Sequence, residues 1–329
     1  MIGGLVLIVM AQSSLGWSLG RTGRQTGRWL EEVTVESNGS NNKVAIIDVE
    51  GIITSMSVGH RGRNMVDLIE DQLKMAARDE DVHAVILKVD SPGGEVLASD
   101  DISRALLDFQ EKHRKPVVAA MGGLGASGGY YVSAPCQWII ANELTMTGSI
   151  GVIMSTFNYR GLLDKVGVYP QVFKSGRFKD MLRGSKKPEE IDPEEQRMIQ
   201  SMIDETYSKF VAVVQAGRDR AKKENKGEGK VLASNWKDYA DGRVLTGRQA
   251  FDLGFVDELG GFDAAVQRAR KLAKIPDANL VRYQEPFGLG NFLSLFGKSD
   301  GSGVKVDFGF QLPKIQAGRL YFLSPTVLH

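Results

Sequence analysis

Histidine is scarce and cysteine nearly absent in this chain of 329 residues, which carries four of the first and one of the second. The single thiol, Cys136, excludes an internal disulfide and any metal site built from several cysteines; it reads as a small core residue. The histidines are badly placed for catalysis. His60, His83 and His113 precede the glycine-rich turn around Ser127, and His329 ends the chain. The run Gly125-Ala126-Ser127-Gly128-Gly129 matches the nucleophile elbow of α/β-hydrolases, but there the base histidine follows the serine, a place only His329 could fill. An excess of one charge is missing too. Forty-one basic against 40 acidic residues leave a net charge of +1, which offers nucleic acid no global attraction. None of the glycine-rich turns is followed by the lysine and Ser/Thr of a phosphate-binding loop, and no metal motif occurs. No cofactor is expected.

Long apolar runs are also lacking, with one exception. Residues 1–20 hold no charged side chain and begin with the apolar stretch 2–10. A spanning helix needs about 20 mostly apolar residues, and Gln12, Ser13 and Ser14 dilute this one. No basic stretch precedes it, as a signal peptide would want; Arg21, Arg24 and Arg28 follow it. We read residues 1–20 as a membrane anchor or truncated signal-anchor that places the protein at the cell membrane. Its orientation stays open, because cations after the run favour a cytoplasmic body only if Met1 is the true start. Residues 21–42 have the Gly/Ser/Asn-rich composition of a polar linker.

Beyond residue 42 the pattern is ordinary for a folded domain, with 42% hydrophobic and 25% charged residues overall. Apolar runs at 43–53 and 82–90 predict buried strands, with a helix at 65–77 between them. A helix at 97–113, a strand at 116–121, a helix starting near Ser127 and short strands at 138–141 and 149–155 continue the alternation. That order predicts an α/β domain. Residues 189–217 read as a helix packed on the core, and 218–230 as a solvated helix end and loop. After about residue 286 the sequence turns Gly/Ser-rich, then apolar again at 320–323. This tail could be disordered, dock on a neighbour, or enter an active site as a peptide would.

Glycines punctuate the strand ends, where α/β sheets hold reacting groups. Three junctions stand out. Asp90-Ser91-Pro92-Gly93-Gly94 could present free N–H groups to an oxyanion, although a simple turn is the plainer reading. At Ser127 the N–H of Gly128 could be a second donor. Ser149, in Thr147-Gly148-Ser149-Ile150-Gly151, could orient a lysine amine or serve only as a turn hydroxyl. Fifty-two residues after Ser127 comes Lys179, in Lys174-Ser175-Gly176-Arg177-Phe178-Lys179-Asp180. With no histidine to hand, a lysine is the remaining base for a serine nucleophile. A lysine works as a base only where apolar surroundings disfavour its ammonium, and Phe173, Phe178, Met181 and Leu182 flank this one. On burial statistics alone it would be a solvated surface lysine.

Together the motifs resemble signal peptide peptidase A in its short single-domain form. The resemblance covers residues 43–285 and includes Ser91-Pro92-Gly93-Gly94, Ala126-Ser127-Gly128-Gly129-Tyr130-Tyr131, the stretch 144–152, Lys174-Ser175-Gly176 with Lys179-Asp180, and Asp241-Gly242-Arg243-Val244 running on to Gly260. It implies that Ser127 is the nucleophile, Lys179 the general base, Ser149 a hydroxyl that holds the lysine, and Gly94 with the Gly128 amide the oxyanion donors. It implies a fold similar to the Clp protease and crotonase group, repeated ββα units with additional C-terminal helices, for a peptidase catalytic domain at 43–285 followed by a tail at 286–329. It also implies membrane-associated homo-oligomeric rings with active sites between subunits, and cleaved signal peptides and other apolar unfolded segments as substrates. Three other readings compete. They are a membrane-protein quality-control peptidase of the same family, a crotonase-like acyl-CoA enzyme, which would leave Ser127 and Lys179 idle, and a catalytically silent scaffold.

Overall fold

The structure is a computed structural model that describes residues 29–57, 63–286 and 320–323. In chain order its first half runs β1 (Glu31–Glu36), β2 (Lys43–Glu50), α1 (Met65–Arg78), β3 (Val82–Ser91), β4 (Gly93–Glu95), α2 (Val96–His113), β5 (Val117–Ala126), α3 (Gly128–Ser133), β6 (Trp138–Ala141) and β7 (Met146–Gly148). The second half runs α4 (Arg160–Lys165), α5 (Pro193–Glu224), β8 (Val244–Thr246), α6 (Gly247–Asp252), β9 (Glu258–Leu259), α7 (Phe262–Ala273), β10 (Asn279–Gln284) and β11 (Tyr321–Leu323).

The main sheet has the order β1-β10-β2-β3-β5-β6-β9, with β7 paired to β5 and β8 to β7. Only the β1/β10 and β7/β8 pairs in it are antiparallel. The central strands are apolar on both faces because helices cover both sides. Alternate residues go to opposite layers: Ala45, Ile47 and Val49 of β2 join Leu87 of β3, Ala119 of β5, α1 and α2 on one side, while Val44 and Ile46 join Ile86, Val118 and α7 on the other. Helix α1 starts where Asn64 and Asp67 form a reciprocal capping box, and it buries Ile69, Leu73 and Ala76. The α/β expectation holds, with a mostly parallel sheet.

Several details differ from the sequence reading. Part of the stretch expected as a 21–42 linker is β1, which pairs with β10 through Glu31↔Gln284 to Thr34↔Val281; the alternation in Glu-Glu-Val-Thr-Val-Glu suits an exposed edge strand. The strand expected at 149–155 forms only an isolated bridge at Ile153, and the ladder lies earlier, at β7. Helix α5 runs past the expected end to Glu224, and Arg218, read as solvated, is buried against Asp257 with Nη1 to Oδ2 at 2.5 Å. Opposite charge in the fold, invisible in the local sequence, pulls that arginine inward. The apolar end of the tail is β11, paired with β4. The anchor expected at 1–20 lies outside the described residues, among which no helix is long and apolar enough to cross a membrane.

Candidate active site

Strand β5 delivers Ser127 to its place. The N–H of Ser127 donates to the Gly148 carbonyl of neighbouring β7 at 2.8 Å, and its own carbonyl accepts the first α3 hydrogen bond from Tyr131 N–H at 2.8 Å. Between those restraints the serine is bent to φ +54° and ψ −116°, a region an L-residue occupies only when its surroundings force it there. The turn is compact because the next residues have no side chains. A Cβ on Gly128 would stand 2.8 Å from Ser99 Oγ and 3.0 Å from Gly94 N, and one on Gly129 would stand 2.7 Å from the Ser91 carbonyl oxygen. The start of α3 is thereby pressed against the β3–β4 junction. Ser127 is buried, and its Oγ has no hydrogen-bond partner among the described residues.

The other glycine junction faces the same spot. Gly93 has φ +98°, with its N–H on Ser91 Oγ at 3.1 Å. A Cβ on Gly93 would come within 2.5 Å of Gly128 N, so the amide after Ser127 lies directly beside this glycine. Gly94 and Gly128 are therefore neighbours, as the sequence reading requires of two donors to one oxygen. Parallel pairing of Ala126 with Gly148 puts Ser149, the first residue after β7, alongside Ser127. Ser149 is buried at φ +50°, with its N–H on the Arg243 carbonyl at 2.8 Å. The turn supplying that carbonyl is pinned by the Asp241–Arg243 ion pair, with Nη2 to Oδ2 at 2.6 Å. The Arg243 guanidinium holds the Asp241 carboxyl down at about 2.

A cleft opens beside these groups between β4 and Ile153, and β11 lies in it. Tyr321 pairs with Glu95, Phe322 with Gly94 and Leu323 with Gly93, all antiparallel. On the other edge Tyr321 N–H donates to the Ile153 carbonyl at 3.1 Å and Ile153 N–H to the Tyr321 carbonyl at 3.2 Å. The far end of the cleft is a cavity of about 340 Å³ reached by Leu323 and lined by Ser149, Val152, Ile203 and Tyr207.

Lys179 is elsewhere. It is exposed, on a segment that leaves the sheet after Ile153 and returns at α5. The return is well anchored: Arg177 pairs with Asp192 and Glu194, Leu182 N–H donates to Glu195 Oε1 at 2.8 Å, and the buried Lys186 ammonium meets Glu195 Oε2 at 2.6 Å. Of the apolar flank expected around the lysine, Phe173 is 94% exposed and Phe178 lies under the Arg177 guanidinium, 4.7 Å from its ring centroid. Ser127, Gly94, Gly128 and Ser149 are thus brought together within one chain, and Lys179 makes no hydrogen bond to Ser127.

Two contacts beneath the cleft escaped the sequence reading. Tyr131, inside a quoted motif but given no task, bonds Asp100 Oδ1 at 2.7 Å, and burial with that carboxylate pushes its phenol well above the usual range. Phe210, taken for simple core, meets Tyr131 beneath the cleft. Only its place in a long amphipathic helix signalled burial; nothing local signalled what it would face.

Comparison with known proteins gives the family of the chain. Residues 109–276 match the description Peptidase family S49, a span that contains Ser127, Ser149 and Lys179. A putative signal peptide peptidase SppA of Enterococcus faecium is 37% identical over 258 residues, covering 78% of this chain and 71% of that protein. A putative protease of Synechocystis is 40% identical over 239 residues, covering 72% and 77%. A solved structure of a membrane-bound stomatin-specific protease is 15% identical with a TM-score of 0.42, covering 74% of this chain and 98% of that one. Matched by one profile over half its length, and more than a third identical to relatives it spans for most of theirs, the chain belongs to peptidase family S49.

Proposed function

We propose that this serine peptidase cleaves remnant signal peptides and other apolar, extended segments at the membrane, through a Ser127–Lys179 dyad completed between neighbouring subunits. The observation that carries the reading is Ser127 itself: a buried hydroxyl without a partner among the described residues, held in a strained turn beside a cleft that already contains an extended segment. A buried polar group left unpaired is costly, and a base arriving from outside the chain would pair it.

Lys179 is the group available to arrive. Its segment displays Phe157, Leu162, Val166, Val168, Tyr169 and Phe173 to solvent, a concentration of apolar surface that marks an interface. The site is incomplete without a second copy, and seating this segment against that copy would cover the patch and exclude water from the amine. In the cycle, neutral Lys179 Nζ takes the Ser127 hydroxyl proton as Oγ attacks the peptide carbonyl carbon. The N–H groups of Gly94 and Gly128 receive the developing oxyanion, and Ser149 Oγ steadies the amine. The ammonium returns its proton to the leaving nitrogen as the C–N bond breaks. Water, deprotonated by the same amine, then attacks the acyl carbon, and the ammonium returns that proton to Oγ as the C–Oγ bond breaks, which frees the acid product and restores the serine hydroxyl and the neutral amine. The crotonase and scaffold readings leave the strained serine without a task.

The test is complementation. Ser127→Ala and Lys179→Ala proteins are each expected to be inactive on casein and apolar peptides. Co-assembled in equal amounts, they should recover about a quarter of wild-type activity, since one neighbour pair in four combines an intact serine with an intact lysine. A Lys179→Ala protein of wild-type activity would remove the dyad; no recovery in a confirmed mixed oligomer would remove the shared site.

A further inference from the structure

Gly94 can donate to an oxyanion only if its N–H faces the cleft, and the short strand β4 owes that orientation to Ile53 on its opposite edge. Ile53 N–H donates to the Gly93 carbonyl at 2.9 Å, and Glu95 N–H donates to the Ile53 carbonyl at 2.8 Å. In a parallel pair a residue bonds the two neighbours of the residue opposite it, whose own N–H and C=O then point to the other edge. Fixing Gly93 and Glu95 on Ile53 therefore turns the Gly94 amide to the cleft, where Phe322 is its register partner. The support is narrow. Ile53↔Gly94 is an isolated bridge beyond the end of β2, and β4 itself has only three residues.

The side chain of Glu95 reinforces it. This carboxylate is buried at the end of β4. Its Oε1 accepts from Thr54 Oγ1 at 3.0 Å, and its Oε2 accepts from Ser55 N–H at 3.2 Å and Ser55 Oγ at 2.5 Å. Thr54 Oγ1 in turn accepts from Met56 N–H at 3.0 Å, so one carboxylate organises the residues that follow Ile53. Glu95 is also the N-cap residue of α2, yet its side chain makes no cap hydrogen bond to that helix. An acid in that place commonly accepts from its own helix amides; this one reaches back to the strand. The backbone carbonyl of Glu95 is held from the helix side, by Ser99 Oγ at 2.9 Å. Ser99 Oγ is also the atom that a Cβ on Gly128 would meet at 2.8 Å, so both oxyanion glycines lie against groups tied to Glu95.

Resting on the assignment of Ser127 as nucleophile and Gly94 as oxyanion donor, we infer that Glu95 is a positioning residue for the peptidase: its carboxylate holds Thr54 and Ser55 so that the Ile53 bridge keeps the Gly94 N–H aimed at the attacked carbonyl oxygen. Hydrogen bonds to an ionised acceptor are the stronger ones, and a carboxylate has two oxygens that only accept. A glutamine in the same place matches one side alone, because its NH₂ would face the Ser55 donors. Charge develops on the attacked oxygen only as the bond to Oγ forms. A misaimed Gly94 amide therefore costs the transition state more than the bound substrate.

The experiment uses the full chain and compares Glu95→Gln with wild type. On an apolar peptide kcat should fall roughly 10-fold or more while KM stays within about threefold. A peptide aldehyde gives a readout that general loosening would not move. Ser127 Oγ adds to its carbon, the hydroxyl proton passes to Lys179, and the former C=O oxygen is left as an anion at the glycine amides. The matching peptide alcohol fills the cleft without forming that anion. Glu95→Gln should weaken the aldehyde by about the factor lost in kcat/KM and the alcohol by no more than about threefold. Ser55→Ala, at an exposed position, serves if the glutamine variant folds poorly; it should lower kcat roughly threefold and, combined with Glu95→Gln, add nothing further. An unchanged kcat in Glu95→Gln, or equal weakening of aldehyde and alcohol, overturns the positioning role. If Ser127→Ala binds the aldehyde as tightly as wild type does, the nucleophile falls and the role of Glu95 with it. If Ser127→Ala loses the aldehyde while Glu95→Gln keeps it, the nucleophile stands and Glu95 alone is overturned.

Discussion

Ser127 should cost the protein stability, and the cost can be divided. Its hydroxyl is buried without a partner among the described residues, a situation worth roughly 1–3 kcal/mol against the fold in mutational data. Its backbone sits at φ +54° and ψ −116°, which for a side-chain-bearing residue costs a further ~1–3 kcal/mol. Ser127→Ala removes the first penalty and keeps the second. Ser127→Gly removes both, while losing about 0.5–1 kcal/mol to the greater freedom of glycine in the unfolded chain. The expected order of stability is Ala above Ser by about 1–3 kcal/mol, with Gly level with Ala or above it by up to about 2.5 kcal/mol, and each kcal/mol moves Tm up by roughly 2–4 °C. The comparison belongs in a Lys179→Ala background, where no dyad hydrogen bond from a neighbouring subunit can stabilise the serine. Thermal and urea unfolding of the three variants decide it. If Ser127→Ala melts below its parent, the hydroxyl has a partner and the idea of a vacant, waiting nucleophile is wrong.

Two glycines make a paired test of the cleft: a Cβ on Gly94 would lie 1.9 Å from the Ile53 carbonyl oxygen, whereas the nearest atoms to one on Gly125 belong to the flexible Met121 side chain, at 2.8 Å. Gly94→Ala should cut peptide hydrolysis by at least ~10²-fold and Gly125→Ala by no more than a few-fold; the reverse order in a steady-state assay contradicts the geometry. Arg218→Met strands the buried Asp257 carboxylate and should cost about 3–5 kcal/mol, read as a lowered urea midpoint, with part of the loss restored by adding Asp257→Asn. Asp241 titrates at about 2 in the fold instead of at its usual 3.8, so its contribution is complete above the usual value and disappears as pH falls through about 2. Wild type should therefore lose more Tm than Asp241→Asn on acidification through that window, and parallel curves would show that the Arg243 pair contributes nothing.

Much of the catalytic half was legible because its signals are local. Alternating and continuous apolar runs marked β2, β3 and α1 to within a few residues, and the glycine clusters marked the β3–β4 and β5–α3 junctions because only residues without Cβ permit backbones to approach so closely. The misreadings share a different cause. Glu31–Glu36 is polar and looked like a linker, but its strand character comes from pairing with β10, more than 240 positions later. Arg218 looked solvated until Asp257 was brought to it across the fold. Phe210 and Phe322 are 112 positions apart yet meet at 4.6 Å, and no window of sequence holds both. Lys179 is the instructive case: the sequence singled it out, while the single chain leaves it exposed and away from Ser127.

The cleft grips its occupant by both edges, β4 on one side and Ile153 on the other. A strand bonded along both edges has no edge left for a sheet of its own, and a helix has already spent its backbone groups internally. Entry is thus a test of conformation before it is a test of side chains: native strands and helices are turned away however apolar they are. For a folded protein with a suitable segment, the susceptible species is the locally opened one, and when opening and closing outpace cleavage the rate follows its population. Each ~1.4 kcal/mol of local stability in the target then slows its destruction tenfold. The peptidase would need no inventory of permitted victims; the victim's own stability would decide.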